Sequence, residues 1–169
     1  MLATKAADAA GAAAAPAFDA VIALPFGPFG IRAHDGLVRE LVFLPPGTPL
    51  QDARNATAGA TAHALRAWID EPDARFPVPL APCGTPFRRR VWTAISAIPR
   101  GCTATYGELS ARLGSAPRAV GQACGANPFP LIVPCHRVTS AAGLGGFANA
   151  RDGWLLEVKR WLLAFEGAL

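Results

Sequence analysis

Between residues 20 and 44 the chain runs AVIALPFGPFGIRAHDGLVRELVFL, short apolar stretches broken by polar positions, a pattern that predicts strands. Asp35-Gly36 falls inside it, a pair that favours a two-residue hairpin turn. A small antiparallel sheet is expected to begin the fold. The period then changes. In ARNATAGATAHALRAWID, residues 53–70, Ala64, Leu65, Trp68 and Ile69 recur at helical spacing, and Glu71-Pro72 stops the pattern. One helix should pack on that sheet.

The proline-rich stretch RFPVPLAPCGTPF is extended, which places a domain boundary near residues 81–85. Beyond it Thr85-Pro86 reads as an N-cap followed by proline at the first helical position. FRRRVWTAISAI continues as a helix with Phe87, Val91, Ile95 and Ile98 on one face, ended by Pro99-Arg100-Gly101. Two short helices follow, TYGELSARLG and SAPRAVGQACGAN, and a pair joined by a tight glycine turn has the outline of a helix-turn-helix. The second contains Gly121 and Gly125, each costing about 1 kcal/mol relative to alanine. A helix so thinned either packs closely on a neighbour or enters a confined groove, with Arg118 at its leading end.

Charge sharpens this division. Residues 1–84 carry six Lys and Arg against eight Asp and Glu, whereas residues 85–169 carry ten against four. The basic half is where a polyanion would bind. The opening residues 1–18 are Ala-rich and lack the Leu/Val run of a targeting segment, so we expect a disordered tail there, then an N-terminal domain over 19–83 and a C-terminal domain over 84–169. No apolar run approaches the roughly 20 residues that cross a bilayer. The four cysteines, at 83, 102, 124 and 135, match neither a zinc-site nor a Cys-x-x-Cys spacing. These features predict a cytoplasmic protein with reduced thiols and no membrane contact.

The candidate chemistry lies in Ile132-Val-Pro-Cys-His-Arg-Val138. A thiol attacks as its thiolate, and an ordinary thiol is mostly protonated at neutral pH. Residues adjacent in an extended strand face opposite ways, so Cys135 and His136 cooperate only if the chain turns there; Pro134 and Asn127-Pro128 suit such a turn. Taken alone the pair is as compatible with a structural cysteine as with a nucleophile. Glu166 would orient the imidazole as a third member of a relay, or stand as an exposed carboxylate at a helix end.

Together, Tyr106-Gly-Glu-Leu109, Arg118-Ala-Val-Gly121, Asn127-Pro128, Pro134-Cys-His-Arg-Val138 and Lys159-Arg-Trp-Leu-Leu163 followed by Glu166-Gly167 resemble, in order, the O6-alkylguanine-DNA alkyltransferases. The resemblance covers residues 84–167, and the first 80 residues resemble that family's variable ribonuclease-H-like N-terminal domain only loosely. It implies an α+β fold: a small ribonuclease-H-like domain, then a mostly helical domain with a winged-helix-like helix-turn-helix. It also implies direct-reversal repair, in which Cys135 takes the alkyl group of O6-alkylguanine, with O4-alkylthymine as a second candidate substrate, in double-stranded DNA once and irreversibly. No cofactor, S-adenosylmethionine or metal is implied, and a monomer suffices.

The implied roles are specific. Ala119 and Gly121 line the helix that enters the minor groove, while Arg118 fills the gap left by the flipped base. Tyr106 crowds the flipped nucleotide's phosphate and donates to its ring. His136, through a water and braced by Glu166, takes the thiol proton. Asn127 holds the turn, the carbonyls of Cys135 and Val138 and the amide of Ala148 meet the guanine edge, and Lys159 stands near O6. Arg137 is implied to be structural.

The chain departs from the family pattern between Gly146 and Lys159, where residues 147–158 read as a longer loop and Phe147 replaces a common tyrosine. Rival readings are a non-catalytic sensor of alkylated DNA, a DNA-binding regulator and a cysteine hydrolase. The sensors of this type replace the nucleophilic cysteine, which is present here.

Overall fold

Asp35 and Gly36 hold φ angles of 53° and 73°, the paired positive values that a type I′ hairpin turn requires. They join β2 (Gly27–His34) to β3 (Leu37–Phe43), and β1 (Ala20–Leu24) completes an antiparallel sheet in the order β1-β2-β3. This computed structural model describes residues 17–73, 75 and 77–169; the tail expected over 1–18 lies, but for its last two residues, outside the described residues. A register shift at Arg32/Ala33 bulges β2. The backbone groups it frees are taken up by side chains, Ala33 N–H by Asp19 at 2.9 Å and Ala33 C=O by Asn55 at 2.8 Å.

Asn55 also sets where the first helix starts. Its φ of −148° is extended and its Oδ1 accepts from Ala58 N at 2.8 Å, so α1 runs Ala56–Asp70, later than the expected start at 53. Leu65 and Trp68 are buried on its inner face. The proline-rich segment is tied to β3: Val38 N donates to Pro79 O at 2.7 Å and Ala81 N to Val38 O at 2.8 Å.

Thr85 caps α2 (Pro86–Ser96) through its hydroxyl, which accepts from Arg88 N at 3.2 Å. The helix ends two residues before the expected Ile98, yet Val91, Ile95 and Ile98 are all buried, because Ile98 N still donates to Ile95 O. After β4 (Ala104–Thr105), Thr105 and Glu108 form a reciprocal capping box that starts α3 (Tyr106–Leu113). Gly114, at φ 62°, closes α3 in the left-handed region and turns the chain into α4 (Pro117–Gly125). This is the helix-turn-helix outline expected from the sequence.

A 3-10 turn, Cys135–Arg137, leads into β5 (Val138–Thr139), which pairs in parallel with β4. The last helix, α5, spans Trp154–Phe165. The loop expected over 147–158 is therefore shorter than its sequence suggested, since Trp154–Val158 already belong to α5, where Val158 is buried. The architecture is mixed α and β, a small antiparallel sheet with one helix followed by a helical half. One core joins them: Phe43 meets Phe147 at 5.1 Å between ring centroids, Trp68 meets Phe165 at 5.3 Å and Phe26 meets Trp161 at 5.6 Å.

Candidate active site

Asn127 holds the chain that delivers Cys135. Its Oδ1 accepts from Phe129 N at 2.9 Å, and its Nδ2 donates to Val133 O at 2.9 Å and stands 3.0 Å from Cys135 Sγ. Leu131 takes a left-handed φ of 74° within this turn, an uncommon angle for a residue with a side chain. Pro134 then starts the 3-10 turn, in which successive side chains diverge by about 120°. Cys135, His136 and Arg137 consequently face three different surroundings, and the requirement that the chain bend at the thiol is met.

The Cys135 side chain closes the floor of a cavity of about 450 Å³, whose walls include Tyr106, Arg118, Gly121, Ala148 and Arg151. A second cavity of about 200 Å³ reaches the same sulfur from the β3 side, with Asn127 in its wall. The thiol donates to Cys124 O at 3.7 Å. Its interaction with the Cys124 side chain and its burial hold its pKa well above the ordinary thiol value, while the Asn127 donor and the Lys159 charge pull the other way. The resting group is the protonated thiol. Tyr106 donates to Gly146 O at 3.3 Å, and burial, then the two cysteines, push its hydroxyl up to about 12, so it remains a donor.

His136 is almost wholly buried and faces Glu166 rather than the sulfur. Its Nε2 lies 3.0 Å from Glu166 Oε1, at hydrogen-bond distance but away from the axis along which the ring N–H points. Burial lowers the imidazole pKa against the opposing pull of Glu166, which keeps the ring neutral at neutral pH. Glu166 is also gripped by Arg137, Nε to Oε2 at 2.9 Å and Nη2 to Oε1 at 2.7 Å, while Arg137 Nη1 donates to Ile98 O at 2.7 Å. Burial would raise the Glu166 carboxyl, but His136 and Arg137 outweigh it and bring the pKa down to about 2.

Lys159 is fully buried. Its Nζ donates to Val138 O at 2.7 Å and Gly146 O at 2.9 Å, and burial lowers its pKa to about 8. Of the residues singled out in the sequence, Tyr106, Arg118, Gly121, Cys135 and Ala148 share the larger cavity. Ala119, His136, Val138, Lys159 and Glu166 do not line it; the last four are buried behind it. Gly125, singled out with Gly121 as one of the two glycines that thin this helix, lines it as well, whereas Cys124, Asn149 and Arg151 line it and were not anticipated. No cluster of His, Cys, Asp or Glu able to hold a metal occurs among the described residues.

Comparison with known proteins places this arrangement. Residues 86–168 match the family model for the 6-O-methylguanine DNA methyltransferase DNA-binding domain. A methylated-DNA–protein-cysteine methyltransferase of Methanosarcina acetivorans is 48% identical over 96 residues, 55% of this chain and 58% of that one. The Salmonella typhimurium protein of the same name is 51% identical over 89 residues, 51% of this chain and 49% of that one. The matches thus span about half the length of these relatives. The Mycobacterium tuberculosis methyltransferase is 37% identical over 147 residues, 80% of this chain and 88% of that one. The crystal structure of the M. tuberculosis protein in complex with DNA superposes with a TM-score of 0.71 at 34% identity, over 88% of this chain and 91% of that one. With the similarity extending through both halves of the molecule, the chain belongs to the methylated-DNA–protein-cysteine methyltransferase family.

Proposed function

We propose that this protein repairs alkylated DNA by direct reversal, moving the alkyl group of O6-alkylguanine onto Cys135 in a single turnover. The observation that carries the reading is the Cys135 sulfur, braced by Asn127 Nδ2 at 3.0 Å, in the wall of a cavity whose only charged lining residues among those described are Arg118 and Arg151. A nucleophile set below a cationic mouth suits a substrate attached to a polyanion.

The reaction balances without a cofactor. The sulfur forms a bond to the alkyl carbon, the carbon–O6 bond breaks, and its electron pair passes into the purine. The thiol proton leaves through a water to His136, whose lowered pKa leaves it free to accept, and finally reaches the guanine. Lys159, whose charge favours the Cys135 thiolate, and Asn127 stabilise the attacking anion. Tyr106, kept protonated, donates to the ring as negative charge develops. The Cys135 carbonyl and the Ala148 amide meet the guanine edge; the Val138 carbonyl, already bonded to Lys159, offers its second lone pair.

DNA is engaged by α4. A Cβ built at Gly121 meets no atom within 4 Å, which favours close approach to a groove over packing on a neighbouring helix. Arg118 at its start fills the stack, and Ala119 keeps the approaching surface slim. In this reading the sheet and α1 form a reduced ribonuclease-H-like domain over 19–83, and residues 84–169 form the winged-helix-like alkyl-acceptor domain. The protein works as a cytoplasmic monomer. No helix among the described residues is long and apolar enough to cross a membrane.

Intact mass and peptide mapping after incubation with excess duplex bearing one O6-methylguanine test the proposal. One methyl group per chain, on Cys135, is expected. Binding of the lesion with no mass change would instead favour a non-catalytic sensor, and steady turnover of an ester a hydrolase.

A further inference from the structure

The two glycines of α4 have different causes. A Cβ at Gly121 would stand in open space, whereas one at Gly125 would lie 2.1 Å from Asn149 Oδ1. Asn149 occupies that place because its Nδ2 donates to Gly125 O at 3.0 Å, near the helix C-terminus. Ala148 and Asn149 have φ angles of 49° and 64°, and Phe147 and Ala150 exchange both backbone hydrogen bonds, at 2.9 and 2.8 Å. The departure from the family pattern is therefore a tight two-residue turn pinned to α4 by one side chain.

Arg151 follows this turn. It is exposed, as is Arg118, and both line the larger cavity. Among the described residues neither has a hydrogen-bond or ion-pair partner, and no acidic side chain among them lines that cavity. A nucleotide that leaves the stack carries its own backbone to the rim of the pocket, and a guanidinium forms paired, charge-assisted hydrogen bonds with a phosphate.

We propose that Arg151, positioned by the Asn149–Gly125 clamp, binds a backbone phosphate of the duplex at the mouth of the base cavity, a contact separate from the wedge at Arg118. The identity of the ligand as duplex DNA rests on the function proposed above.

Affinity for unmodified duplex, followed by fluorescence anisotropy from about 50 to 200 mM salt, tests it. For Arg151→Ala the slope of log K against log salt should become shallower by about 0.9, the loss of one phosphate contact. Arg151→Lys should keep the slope and lose part of the affinity. Asn149→Ala should weaken binding too, and Arg151→Ala should cost less on that background than alone. An Arg151→Ala slope equal to the wild type's overturns the phosphate contact, and full additivity of the two substitutions overturns the clamp.

Alkyl transfer is scored separately, as mass gained from free O6-benzylguanine, whose benzylic carbon is open to thiolate attack. A wild-type protein that shows the salt slope but gains neither a benzyl group here nor a methyl group from O6-methylguanine duplex sinks the proposed reaction and leaves the Arg151 assignment standing.

Discussion

Arg137 closes on both oxygens of Glu166, at 2.9 and 2.7 Å, and so fixes the carboxylate against which His136 rests. The Cys-His-Arg triplet thus divides its labour by direction: the thiol faces the cavity, the imidazole faces the acid, and the guanidinium holds that acid and, through Ile98 O, the turn that follows α2. Arg137→Ala would leave a buried carboxylate without its bidentate partner. We expect a loss of about 3–5 kcal/mol in urea denaturation, and a smaller loss for Arg137→Lys, which keeps the charge but not the fork.

Acid should find the same contact. The Glu166 carboxyl is held at about 2 against an ordinary 4.5. Because its folded-state pKa is depressed, its contribution is complete above about pH 4.5 and is lost as pH falls toward 2. The loss amounts to about 3 kcal/mol. Urea midpoints measured across that window should fall in the wild type and change less in Glu166→Gln; parallel pH profiles would remove Glu166 as the cause.

Asn127 makes three separable contacts. Asn127→Asp keeps the acceptor for Phe129 N but replaces the donor that faces Cys135 Sγ with a negative charge, which should raise the thiol pKa further. Transfer from free O6-benzylguanine at pH 7 should slow by tenfold or more and recover partly at higher pH. Asn127→Ala additionally strands a buried N–H, at about 1–3 kcal/mol of stability.

Gly121→Ala should separate stability from binding. With nothing within 4 Å of the added methyl, the helix gains up to about 1 kcal/mol of stability, visible as a higher melting temperature. Duplex affinity should drop. A variant with both properties improved would argue against α4 as the groove-facing helix.

Much of the fold was legible because its signals are local. Asp35-Gly36 specified its own turn, Thr85-Pro86 its own helix start, and the apolar face of α2 survived an end two residues early. Asn55 was legible as a polar residue but not as a cap, since that depends on where the chain before it goes. In the site, the bend at Cys135 followed from needing thiol and imidazole to cooperate, which an extended strand would prevent, and proline and asparagine supply it. Lys159 was harder. Its burial and its grip on two carbonyls depend on β5 and the loop at Gly146 returning past α5, contacts 21 and 13 residues distant in sequence. Asn149 escaped notice for the same reason, because its partner Gly125 lies 24 residues away.

The hydrogen bond from Leu41 N to Pro128 O, at 2.8 Å, crosses from the free edge of β3 to the turn that carries Asn127. Together with the bonds joining Val38 to Pro79 and Ala81, it means that the proline-rich stretch is no slack tether. A protease nick there would not release two independent fragments. Residues 84–169 expressed by themselves would expose the aromatic faces that now meet Phe43, Trp68 and Phe26 and would forfeit the strand bonded to the turn that leads to Cys135. Residues 40–43 of β3 are, mechanically, the back wall of the smaller cavity at Cys135.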